Sequence, residues 1–247
     1  MLLPTADPVA PAVEAAGLCR RYGRRWALAE VSLRVSRGSA FMVTGRNGSG
    51  KSTLLRVLAT AIRPDRGRAR VAGFDVAAER EQVRRRTALL GHSPYTYEAL
   101  SALENLQVAA RFLGRPATRP ALLPLLEEVS LASRADDAVE TFSAGMRKRL
   151  SLAGVLLQEA EVVLLDEPYG QLDPPGFRLV DGLFERFRAR GATVLLATHL
   201  LERAAGLCDQ GIVLESGRVA WTGPAAELPA RGVRAAEALA EGALTCS

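Results

Sequence analysis

The 247-residue chain is 48% hydrophobic and 24% charged, with three cysteines and no C-x-x-C pair. That balance fits one large α/β domain or two small ones and excludes a disulfide framework or a zinc ribbon. No stretch approaches the roughly 18 consecutive apolar residues of a membrane span. The net charge of +5 comes from scattered arginine clusters such as "RRYGRR" and "RPDRGRAR". No nucleic-acid motif accompanies them, so they read as solvated surface, and no nucleic-acid partner is expected. Lys51 and Lys148 are the only lysines among 32 Lys and Arg.

The opening "MLLPTADPVAPAVEAAG" lacks the basic and apolar regions of a signal peptide. Residues 1–12 read as a flexible lead-in, and the sparse cysteines suit a reducing cytoplasm. "ALAEVSLRVSRGSAFMVTG" alternates and is rich enough in β-branched residues for strands, with Arg37-Gly38 as a turn. "AFMVTG" is a short buried strand running into a glycine loop. Leu54, Leu58 and Ile62 then recur on one helix face, and "RPDRG" ends that helix. "RARVAGFDV" is strand and turn, "AAEREQVRRR" a helix and "TALLGH" a strand.

A helical region follows. Leu103, Leu106, Ala110 and Leu113 form a stripe that stops at Gly114 and Pro116, and "ALLPLLEEVSL" continues it. "SAGMRKRLSLAGVLL" is another helix, with Ser143 as N-cap and Met146, Leu150, Ala153 and Leu157 on one face. "EVVLLDEP" and "ATVLLATH" are uninterrupted apolar runs with polar ends, as in parallel strands buried on both faces. Ligands bind beyond the carboxyl ends of such strands, which here carry Asp166, Glu167 and His199. "ERAAGLCDQ" is a short helix and "IVLESGRVAW" a hairpin across Ser216-Gly217.

Gly45, Arg46, Asn47, Gly48, Ser49, Gly50, Lys51, Ser52 and Thr53 match the phosphate-binding P-loop, with a strand before and a helix after. Glycines let the backbone wrap a phosphate, and the helix N-terminus faces the anion. A lysine ammonium is a compact charge on a thin stem, which explains why an arginine-rich chain writes lysine at 51. Ser52 would place its hydroxyl on Mg²⁺. Asp166 would hold the same metal, and Glu167 would polarise the attacking water. A lone histidine is more often structural, but at this strand end His199 reads as a γ-phosphate contact. A bare glycine turn and a strand meeting solvent are the bland alternatives, weakened by the two motifs occurring together.

With "FSAGMRKRL" between them, these motifs resemble the ATP-binding cassette (ABC) family of transporter ATPases, over about residues 13–228. The resemblance implies an α/β fold: a P-loop NTPase (RecA-like) core with a parallel sheet, an antiparallel β part and an inserted helical subdomain at about 93–155. Residues 229–247 are left as a tail. It implies ATP and Mg²⁺ as cofactors, Tyr22 as the adenine-stacking residue, Ser143 and Gly145 as signature contacts to the γ-phosphate, and a D-loop ending at Asp173. Because the chain holds one Walker A and one signature, a second ATPase subunit, in a homodimer or from a paralogue, completes the site. A transmembrane permease on a separate chain is the other implied partner, at the cytoplasmic face of the inner membrane. Two departures stand out: the signature is Ser-Ala-Gly-Met, and Ser93 replaces the Q-loop glutamine, with His92 beside it. Gly-His before that position and the S-x-G-M signature look most like the haem exporter subunit of cytochrome c maturation. A drug, antibiotic or lipid exporter subunit is the alternative. A soluble cassette ATPase acting on nucleic acid fits less well, since the chain has neither two cassettes nor a coiled-coil insertion. A regulator without turnover is disfavoured by Glu167 and His199.

Overall fold

The computed structural model of the chain describes residues 10–91 and 96–228. Most of the expected lead-in, the 92–95 stretch with His92, Ser93 and Tyr95, and the 229–247 tail lie outside them. Two sheets organise the rest. Strands β1 (Val13–Tyr22), β2 (Arg25–Val35), β4 (Arg66–Val71) and β5 (Phe74–Asp75) form an antiparallel sheet in the order β2-β1-β4-β5. Strands β3 (Ala40–Thr44), β6 (Thr87–Leu90), β7 (Val162–Asp166), β8 (Thr193–Ala197), β9 (Gln210–Glu215) and β10 (Arg218–Pro224) form the second, in the order β10-β9-β3-β8-β7-β6. All its pairings are parallel except β9 with β10.

The apolar runs of β3, β7 and β8 are continuous because each strand is buried on both faces. Their side chains alternate between two cores. Met42, Val163, Leu165, Val194 and Leu196 face the helical side. Phe41, Val43, Val162, Leu164, Leu195 and Ala197 face the antiparallel sheet and helix α1 (Lys51–Leu58). Helix α2 (Arg80–Arg86) leads into β6.

The helical region holds α3 (Ala102–Phe112), α4 (Arg119–Glu128) and α5 (Ala144–Gln158). Leu103, Leu106, Ala110, Leu122, Leu126, Leu150 and Ala153 join one core there. Helix α3 starts at a capping box: Glu104 N–H donates to Ser101 Oγ at 3.1 Å, and Ser101 N–H donates to Glu104 Oε2 at 2.8 Å. Helices α6 (Pro174–Ala189) and α7 (Leu201–Ala205) complete the chain.

Three expectations shift. β1 is a full strand although nothing in its sequence marked it, because irregular register with β2 around Gly17 breaks the alternation. Helix α1 stops at Leu58, and Thr60 turns left-handed at φ 59°, so Ile62 packs on the core from outside the helix. The stripe of α3 is buried except at its end, where Leu113 is 39% exposed beyond the last helical residue.

Candidate active site

The phosphate loop leaves the fully buried β3 and enters α1 through three glycines with positive φ, at 45, 48 and 50. Two of them admit no side chain. A β-carbon at Gly45 would lie 2.1 Å from Leu214 O, and one at Gly50 2.4 Å from Ala27 O. The loop is also held from behind, where Gly217 N–H in the β9–β10 turn donates to Ser49 O at 3.0 Å. Helix α1 begins without a side-chain cap and without an acidic residue in its first turn, which leaves its N–H groups to an anion. Ser49 Oγ is buried and has no hydrogen-bond partner among the described residues. These features fit a bound phosphate chain.

Lys51 is 6% exposed. Its ammonium donates to Gly45 O at 2.8 Å and to Arg46 O at 3.3 Å, so the charge lies inside its own loop. Ser52 Oγ donates to Asp166 Oδ1 at 3.0 Å. That bond joins the loop after β3 to the end of β7, across β8. An alcohol and a carboxylate oxygen are hard donors that suit Mg²⁺. Among the described residues no group of three or more His, Cys, Asp or Glu could hold a metal alone. Ser52 and Asp166 are the side chains that would hold a magnesium ion here.

Glu167 follows Asp166 with φ 47°. Its N–H donates to Ala197 O at 2.9 Å, and its Oε2 lies 3.0 Å from His199 Nδ1. Thr198, fully buried, accepts Leu200 N–H at 3.1 Å on Oγ1 and so fixes the turn that carries His199. The structure thus brings together 45–53, Asp166, Glu167 and His199.

Tyr22, 47% exposed at the end of β1, pairs across the hairpin with Arg25, and Arg20 stands 5.0 Å from its ring centre. Sequence reasoning passed over Arg25, whose guanidinium would be 3.7 Å from a β-carbon at Gly48. Nothing in "YGRRW" ranks Arg25 above Arg24. Ser143 and Gly145 are elsewhere. Ser143 caps α5, its Oγ accepting Met146 N–H at 3.2 Å. A β-carbon at Gly145 would lie 3.0 Å from Gln171 O, so the signature rests on the D-loop. Among the described residues no hydrogen bond links it to 45–53. Asp173, which ends the D-loop, caps α6. The Gly176 N–H that it accepts, together with Arg149, holds its carboxyl below the usual range. Tyr169 donates to Asp181 at 2.8 Å, and burial raises its pKa well above that of a free tyrosine.

A groove of about 390 Å³ opens on the helical side, lined by Tyr97, Leu106, Ala109, Phe112, Leu113 and Leu150 among others. Phe112 is 85% exposed and Tyr97 59%.

A glycine loop after a central parallel strand, its lysine tucked inside and its serine bonded to a strand-end aspartate, defines a P-loop nucleotide-binding fold. The model of the ABC transporter family matches residues 28–170. The chain belongs to that family and is an ATP-binding, ATP-hydrolysing subunit of a transporter. It is 43% identical over 221 residues to the daunorubicin resistance ATP-binding protein DrrA3 of Streptomyces coeruleorubidus, across 89% of this chain and 70% of that protein. A solved ATP-binding subunit of an ABC transporter matches with TM-score 0.79 at 31% identity, over 86% of this chain and 90% of that one. The cassette MJ0796, solved as a dimer in a post-hydrolysis state with ADP and Pi, shares the fold at TM-score 0.79 and 24% identity, over 86% and 98%. Other relatives are named for daunorubicin or doxorubicin resistance and for Nod factor export. None of these is a haem exporter, so the haem expectation gives way to its alternative. The features behind it, Gly-His at 91–92 and the S-x-G-M signature, belong to the ATP-handling chain and not to a cargo site.

Proposed function

We propose that this chain energises an exporter of drug-like or antibiotic small molecules, as one of two cassettes on a separate membrane subunit at the cytoplasmic face of the inner membrane. The cargo class rests on what the relatives are named for. The catalytic roles rest on one observation: Ser52 is bonded to Asp166, and Glu167 to His199, at neighbouring strand ends.

The loop at 45–53 binds the phosphates through its N–H groups and Lys51. Tyr22 offers a ring to the adenine. Ser52 and Asp166 would hold Mg²⁺. When bound, that ion supplies charge neutralisation on the phosphate oxygens. Glu167 draws a proton from the attacking water, and His199, 3.0 Å away, orients its carboxylate and faces the γ-phosphate position. Ser143 and Gly145 lie apart from the phosphate loop of their own chain, as they must if they serve the loop of a second cassette. Helix α5, with Ser143 at its cap, would present its N-terminus to that γ-phosphate.

The groove between α3, α5 and the end of β6 is the membrane partner's seat in this reading. Its exposed Phe112 and Tyr97 offer the aromatic anchors that interfaces favour. Phe112→Asp is expected to abolish co-purification with the membrane subunit while ATP hydrolysis by the isolated chain stays within about twofold. Retained co-purification would move the seat elsewhere. The function itself is tested by purifying the chain with the membrane protein encoded beside it. Hydrolysis stimulated by an anthracycline, without a haem Soret band, is the expected result. A Soret band that responds to ATP-Mg²⁺ would restore haem export, and absence of any membrane partner would revive a soluble cassette.

A further inference from the structure

Lys148, the second lysine, has no part in the chemistry above. It stands in the second turn of α5 and is 2% exposed. Its ammonium makes one hydrogen bond among the described residues, to Gly91 O at 3.4 Å. Gly91 follows β6, and Leu90 of β6 is in register with Leu165 of β7, so Gly91 stands beside Asp166. The strand order β3-β8-β7-β6 sets the geometry. The phosphate loop meets Asp166 from the β3 side through Ser52, and Lys148 stands on the β6 side.

Folding energy does not account for a cation at this position. Burial pushes the Lys148 pKa down to about 8, while the fields of Asp166 and Glu167 act to raise it. A methionine would fill the same space without that penalty. An arginine would bury five donors where one acceptor is supplied. Every other cation of the chain is lysine at the phosphate loop or arginine. The chain's two lysines thus stand inside the phosphate loop and beside the end of β7.

We propose that Lys148 is a positioning residue for ATP hydrolysis, its ammonium balancing the charge of the Asp166–Glu167 pair from the side opposite the phosphate loop and tying the signature helix to the strand end beside them. This rests on the reading of Asp166 and Glu167 given above. Without the ammonium, Glu167 faces Asp166 unbalanced and loses its fixed aim at the water, while the site as a whole becomes more negative and holds a divalent cation more tightly.

The test uses the full chain with Lys148→Met. Expected are unchanged or raised thermal stability, a KM for ATP within about twofold and a kcat lowered about tenfold or more. Mn²⁺ binding in the presence of ADP, titrated by electron paramagnetic resonance, should tighten by about threefold or more as one nearby positive charge is lost. A purely structural lysine would move these quantities differently: stability, kcat and Mn²⁺ affinity would fall together, and that result overturns the proposal. So does wild-type kcat with wild-type Mn²⁺ affinity. If Lys148→Met does not fold, Lys148→Gln, which keeps a donor for Gly91 O and drops the charge, gives the same readings. Lys51→Ala runs alongside. If it still binds ATP, the nucleotide-site reading fails and takes this proposal with it. If it loses ATP while Lys148→Met behaves as wild type, the Lys148 proposal alone falls.

Discussion

Glu167→Gln is expected to bind ATP normally, to hydrolyse it at least about a hundredfold more slowly, and to accumulate as a closed pair of cassettes. The geometry separates the two steps. In the proposed reading, binding rests with the loop at 45–53 and Lys51, none of which hydrogen-bonds to the Glu167 side chain among the described residues. The Glu167 backbone is fixed independently, by the 2.9 Å bond from its N–H to Ala197 O and a left-handed φ of 47°. An amide has the size of the carboxylate and can keep the 3.0 Å contact with His199 Nδ1 through either its oxygen or its nitrogen. What it cannot do is accept a proton from water. The phosphate chain then stays intact and continues to bridge Lys51 of one cassette and the Ser143 cap of the other. Size-exclusion chromatography in saturating ATP-Mg²⁺ reads the outcome directly. A shift from monomer to dimer that the wild type shows only transiently supports the assignment. A variant that remains monomeric, or that turns over at the wild-type rate, removes Glu167 from the role.

What the sequence reveals of this molecule follows from how local each feature is. The phosphate loop is legible because its glycines are required by close backbone approach within a few residues of chain. β7 and β8 are legible because a strand buried on both faces must be apolar throughout. The cap at Ser143 shows for the same local reason. β1 is hidden because its irregular register breaks the alternation, and only pairing with β2 and β4 on either side makes it a strand. Lys148 is hidden more deeply. It sits in "GMRKRLS" between Arg147 and Arg149, a run that reads as a solvated helix face. Its burial depends on Gly91, 57 positions away, and on the end of β7. The groove depends likewise on the end of β6 meeting α3 and α5, three segments far apart in sequence. Cargo is the least legible, since a cassette handles ATP and the reading toward haem leaned on loops that belong to that task.

Lys51→Arg tests the steric account of the chain's odd choice of lysine, and its expected effect is a loss of ATP affinity of about a hundredfold with the fold intact. Charge is conserved in this variant, so electrostatics alone predicts little change. The loop cannot widen to admit a planar guanidinium, because it is pinned on three sides. Leu214 O stands against Gly45 and Ala27 O against Gly50, each closer than a β-carbon would tolerate, and Gly217 N–H holds Ser49 O at 3.0 Å. The ammonium of Lys51 satisfies itself with two carbonyls of that loop and remains 6% exposed. A guanidinium in the same volume would bring five donors to two acceptors and project its plane into the space that the β-phosphate must enter. Isothermal titration with ATP, alongside a thermal melt, distinguishes the explanations. Weak binding with an unchanged Tm supports the steric account. Wild-type affinity would mean that the loop relaxes around arginine, and the lysine at 51 would then need another reason.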